Sequence, residues 1–175
     1  MLSIRRVFCA LVVVSTGISA SAHTLDAQAA PAPRFKSVVS ANPIGLLFDF
    51  FNAEYERAMS TTSTVGIGGS TISSTNDYTD ESERYANLDV FYRYYPSGSP
   101  FEGWNFGAKV GLTSVSGGGS FVGYGFDLNR SWLLGPEKRF YVGTGFGLKR
   151  LVGTEDSGGL AVIPTFRIIN IGRAF

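Results

Sequence analysis

The chain has 175 residues, 22 of them glycine and 14% aromatic, a length suited to one domain and a composition weighted toward β-structure. Fifteen Lys and Arg against 14 Asp and Glu leave a formal net charge of +1, so the broad basic footprint of a nucleic-acid binder is missing. A single histidine and a single cysteine exclude a disulfide scaffold and a His/Cys zinc cluster.

Arg5 and Arg6 precede the apolar run Val7 to Val14 and small residues ending in Ala20-Ser21-Ala22. This is the layout of a secretory signal peptide, with cleavage expected after Ala22. Ala27-Gln28-Ala29 offers a second small-x-small site. The apolar run is shorter than the ~20 residues of a spanning helix, which speaks against a membrane anchor. Cys9 lies inside the run rather than after it, which speaks against a lipid-anchored N-terminus. The expected division is therefore a signal peptide over 1–22, a flexible lead-in over 23–34 and a β-domain over 35–175. Such a mature part has no cysteine, hence no disulfide and no thiolate chemistry.

Beyond the lead-in, apolar residues recur with period two between turn-forming clusters, with no 3.6-residue stripe. Eight strands are predicted in chain order: Lys36 to Phe48, Ala53 to Ser60, Ser63 to Ile72, Arg84 to Tyr95, Trp104 to Ser114, Phe121 to Leu134, Phe140 to Leu151 and Leu160 to Phe175. In the fourth, Leu88, Val90, Tyr92 and Tyr94 oppose Asn87, Asp89, Phe91 and Arg93. The fifth sets Trp104, Phe106, Ala108, Val110 and Leu112 against Asn105, Gly107, Lys109, Gly111 and Thr113. The sixth and seventh repeat the pattern with glycine dominating the second face. Ser60 to Thr62 and Gly135 to Lys138 read as tight turns, Pro96 to Gly103 as a longer one, and Asp49 to Asn52 as a short link. Ser73 to Glu83 reads as a loop whose Asp77, Asp80, Glu81 and Glu83 form an acidic cluster, a solvated loop by default and a Ca²⁺ site as the sharper alternative.

Alternation of this kind fits two barrels that differ in which face is inside. A soluble barrel of lipocalin type packs its apolar set within and wets a face rich in Lys, Glu and Thr. Here the second face is mostly glycine with scattered single charges, which suits a cramped lumen, and the apolar face is bulky and aromatic, which suits lipid. The expected fold is thus all-β, an eight-stranded antiparallel up-and-down transmembrane β-barrel preceded by a cleaved signal peptide. With an even strand count both termini lie at the inner end, and Tyr94, Trp104, Trp132, Phe140 and Phe175 then form an inner aromatic girdle. An outer ring is expected around Phe48, Phe51 and Tyr124.

The chain stops at Phe175, with Ile171 and Ile169 on the same parity. A final aromatic after alternating apolar residues resembles the signal that outer-membrane barrels present to their assembly machinery; Arg173 departs from that pattern. The segments Asn42-Pro43-Ile44-Gly45-Leu46-Leu47-Phe48, Glu54-Tyr55-Glu56-Arg57, Tyr92-Arg93-Tyr94-Tyr95-Pro96 and Pro164-Thr165-Phe166-Arg167 are similar to those of a family of uncharacterised bacterial outer-membrane β-barrels, over nearly the whole mature chain. The resemblance implies an architecture like the small OmpA and OmpX types and an outer-membrane address. It supplies no catalytic residues.

The inward parity carries Glu54, Glu56, Asp89, Arg93, Lys109, Asp127 and Lys149, four acids against three bases, expected to pair as a lumen charge network in a bore just wide enough for side chains. A narrow ion path is the alternative. Glu54 and Glu56 share a face and mimic a paired-carboxylate site, but pairing with lumen Arg or Lys is the expected arrangement. His23 lies in the lead-in, so no Ser-His-Asp triad forms within the barrel. Gly66-Ile67-Gly68-Gly69 and Gly117-Gly118-Gly119 lack the Lys-Ser/Thr pair of a phosphate loop and read as strand packing and a loop tip. The expectation is a non-enzymatic, cofactor-free monomer of the outer membrane, touching lipid and the assembly machinery but not nucleic acid, with a structural or surface-interaction role. The alternatives are a secreted lipocalin-like barrel holding a small apolar ligand, and a lipid-modifying enzyme.

Overall fold

The computed structural model describes residues 33–75, 82–152 and 162–175. Eight strands, β1 (Ser37–Ala41), β2 (Phe50–Ala58), β3 (Ser63–Thr75), β4 (Ser82–Tyr94), β5 (Gly103–Val115), β6 (Gly119–Leu134), β7 (Phe140–Val152) and β8 (Val162–Ala174), pair antiparallel with their chain neighbours. β1 also pairs with β8 and closes the barrel. The predicted leader, its cleavage sites, His23 and Leu160 lie outside the described residues.

The alternation read from β4 to β7 is kept residue for residue. Trp104, Phe106, Val110 and Leu112 are exposed on the outer wall, while Asn105 and Thr113 are buried within. Among the described residues eight hydrophobic side chains are buried and 32 large ones are exposed, so the barrel keeps its apolar surface outside. Two short links, 59–62 and 135–139, and a longer one, 95–102, join the strands at the end carrying the termini. In one, Gly135 and Lys138 adopt positive φ and the Lys138 N–H donates to the Gly135 carbonyl at 3.0 Å.

Strand tilt follows from register. A row of inward partners leaves Ala174, passes through Val38, Glu56, Gly66, Phe91, Lys109, Gly125 and Lys149, and returns to β8 at Ile163. That displacement is about ten positions once the bulge in β8 is discounted, which with a rise of ~3.3 Å and a strand spacing of ~4.8 Å tilts the strands by about 41°. The bulge lies where Gly143 faces Asn170 and Gly145 faces Arg167, leaving Ile168 and Ile169 both on the outer wall.

Two expectations are corrected. The first strand stops at Ala41 instead of running to Phe48, because Pro43 has no N–H for a ladder and the Asn42 Oδ1 accepts from the Gly45 N–H at 2.9 Å. The chain winds through a 3-10 turn at Gly45–Phe48 and reverses at Asp49, φ 53°. A Cβ on Gly45 would collide with the Phe50 carbonyl, so the turn needs glycine there. The link between β1 and β2 is thus 42–49, not Asp49 to Asn52. The loop expected over Ser73 to Glu83 is shorter, since the β3–β4 ladder continues to the pair Thr75 and Ser82. Glu83 stands in β4 opposite Ser74, while Asp77, Asp80 and Glu81 lie outside the described residues.

Candidate functional site: the barrel lumen

Three layers fill the lumen, counted from the end that carries the termini. The first is an apolar plug of Val38, Phe101, Leu133, Tyr141 and Ala174, with Tyr95 stacked edge-on to Phe101 at 6.4 Å between ring centroids. Phe101 belongs to the link between β4 and β5, where a left-handed φ of 67° tucks its ring under the barrel, fully out of solvent. Nothing in the periodicity marks it, because the link is a turn and carries no alternation.

Above the plug sits the charge layer. Arg93 donates to Glu56 Oε2 at 2.7 Å and to Glu54 at 3.0 and 3.2 Å, and its Nε lies 3.8 Å from Asp127. The other Glu56 oxygen accepts from the Thr64 hydroxyl at 2.5 Å and the Tyr95 hydroxyl at 2.7 Å. Both oxygens of Glu56 are therefore engaged, and the two neighbouring carboxylates act as a clamp on one guanidinium. Arg93 also lies 4.0 Å over the Phe91 ring. That ring fits because Gly66 opposes it, where a Cβ would strike the ring. Lys109 Nζ is 3.6 Å from Asp127 and donates to Thr165 at 2.6 Å, and Asp127 also accepts from Asn129. Lys149, fully buried, pairs with Asp89 at 2.5 Å.

All seven predicted lumen charges thus face inward, and each has a partner of opposite sign. The eighth charge, Arg167, was missed. Its Nη2 donates to Glu54 at 2.9 Å and to the Tyr141 hydroxyl at 2.8 Å, which balances four acids with four bases. Parity counted back from Phe175 puts Arg167 outside; the bulge turns it in. Two adjacent isoleucines, Ile168 and Ile169, interrupt an otherwise strict alternation and are the signal that marks the slip.

The third layer is a cup of roughly 270 Å³ that opens away from the termini, floored by the charge layer and walled by Phe50, Asn52, Ser70, Asn87, Asp89 and Thr165. Among the described residues no group of three or more His, Cys, Asp or Glu side chains is arranged to hold a metal ion. On the outer wall Tyr94, Trp104, Phe140 and Phe175 are exposed near the termini, and Trp132 is half-buried beside them. Arg130 lies between Trp104 and Trp132, 5.3 and 5.2 Å from their rings. At the other end Phe48, Phe51 and Tyr124 are exposed.

No family model, no curated protein and no solved structure matches this chain.

Proposed function

We propose that this chain is a bacterial outer-membrane β-barrel with a closed lumen, which holds its place through a lipid-facing belt and serves a structural or surface-interaction role without catalysis. The observation that carries the reading is the inversion of the barrel, with charges and amides inside and large apolar side chains outside. In water such a surface is an aggregation hazard; in lipid it is the required one.

The dimensions agree with this. On β7 the outer wall is uncharged between Phe140 and Arg150. Ten residue steps at ~3.3 Å and the tilt derived above give a band about 25 Å tall, the height of the apolar belt of spanning barrels. Outward charges sit near the band's margins, with Arg57, Arg130 and Arg173 toward the termini and Arg84 and Arg150 toward the opposite end, where long stems reach a polar interface. The expected leader and the outward Ile169, Ile171 and Phe175 support export and delivery to the barrel assembly machinery. The plug and the compensated charge layer support a lumen that does not conduct.

The test is fractionation of the expressing bacterium, followed by electrophoresis of the outer-membrane fraction with and without boiling. The expected result is a band in that fraction whose mobility changes on heating. Recovery as a soluble periplasmic or secreted protein overturns the reading in favour of a lipocalin-like barrel.

A further inference from the structure

Among the described residues, the closed wall of the barrel narrows to fewer paired strands along one stretch of β8. β8 spans 13 residues, but β1 pairs only with Ile171 to Ala174. Beyond Ile171, no strand among the described residues lies against the edge of β8 that faces away from β7. Across that interval β2 and β8 are bridged by side chains, where Asn170 Nδ2 donates to Asn52 Oδ1 at 2.7 Å.

The open edge is built so that it does not take up another strand. The Leu148 carbonyl crowds the position of a Cβ on Gly125 and so points toward β6. Leu148 and its partner Pro164 are then a non-hydrogen-bonded pair of the β7–β8 ladder, and the backbone of Pro164 faces the opening. With no N–H there, an added strand meets a break in mid-ladder, a device by which sheet edges resist pairing.

The same edge borders the cup. Pro164 and Phe166 on β8 and Phe50 on β2 line both the cavity and the opening, and Thr165 lines the cavity beside them. Against Phe50 lies the 3-10 turn, whose Leu46, Leu47 and Phe48 are 61%, 80% and 73% exposed. At the floor of the cup lies Arg167, whose buried Nε and Nη1 have no hydrogen-bond partner. A free strand edge is tolerated at membrane depth only where it lines a polar cavity, which is the situation here.

We propose that the cup is a binding site for a single-chain amphiphile, which enters sideways from the membrane between β2 and β8. Its polar head rests over the charged floor, and its acyl chain passes out between Pro164 and Phe50. The cup has room for about nine groups of water size, so a head and the first carbons fit and the remainder of the chain stays in lipid. The proposal rests on the membrane reading of the preceding subsection.

The experiment uses the mature protein folded in phosphatidylcholine vesicles with two palmitate analogues, one carrying its diazirine beside the head and one at mid-chain, irradiated and mapped by mass spectrometry. Adducts are expected on the outer wall at Phe106, Val110 and Phe126 and also inside at Asn52, Asn87 or Thr165. Ser70→Trp, which fills the cup, is expected to remove the inner adducts and keep the outer ones. Outer adducts alone overturn the amphiphile site and leave the membrane reading in place, as do inner adducts that Ser70→Trp fails to diminish. A protein that stays in the aqueous phase with no adducts at either place overturns both.

Discussion

The half of the barrel near the termini and the half away from them are built to different standards. Near the termini all eight strands are present, the plug of Phe101, Tyr95 and Tyr141 is fully out of solvent, and Arg93 is held by three carboxylates. In the far half, among the described residues, β1 does not extend, no strand lies against the outer edge of β8, the lumen is a cup, and the ion pair at its wall, Lys149 to Asp89, involves a partly accessible carboxylate. The difference teaches that this lumen is layered by tolerance to water. Charges are locked where water is shut out, and the wall is relaxed at the end where the cup opens.

Removing the centre of the locked half is expected to have the largest effect. Arg93→Met leaves Glu56 without any cation and Asp127 with Lys109 alone, a loss on the order of 4 kcal/mol for a broken buried pair. Guanidinium unfolding in vesicles, followed by the fluorescence of Trp104 and Trp132, measures it. A loss below about 1 kcal/mol means that water reaches this layer and the two halves are alike. Phe101→Ala comes next, at about 3 kcal/mol, because it empties a plug position that no neighbouring strand is free to fill. Lys149→Met tests the far half and is expected to cost only about 1 to 2 kcal/mol, since Asp89 keeps some contact with water. If it equals Arg93→Met in the same assay, the contrast between the halves is broken.

The legible part of the fold is the part in which local alternation and tertiary structure agree. From β4 to β7 each face was readable from residue type alone, because the outer wall is bulky and apolar while the lumen face is small, polar or charged. Pro43 and the Asn42 side chain ended β1 early, and the apolar residues from Ile44 to Phe48 read as strand because a 3-10 turn and a strand both tolerate such a run. At the candidate site the seven charges were visible by parity, yet Arg167 was hidden by a one-residue slip that reverses parity for everything before it. Phe101 and the open edge were invisible for a different reason. Each depends on where a link or a missing strand lies in space, and neither leaves a period in the chain.

The smallest expected effect on stability belongs to Pro164→Val, and it bears most directly on the relaxed half. Valine accepts the extended backbone of β8 and keeps an apolar side chain on the outer wall, so unfolding is expected to shift by less than about 0.5 kcal/mol. What changes is the edge, because the substitution restores an N–H on the side facing the opening. With that donor in place the free edge becomes a template for a second copy, and the expected outcome is a crosslinkable dimer in vesicles that the parent chain does not form. A variant that stays monomeric at the same protein-to-lipid ratio means that something other than the missing donor guards the edge. The exposed turn at Leu46, Leu47 and Phe48, which stands beside the opening, is then the place to cut next.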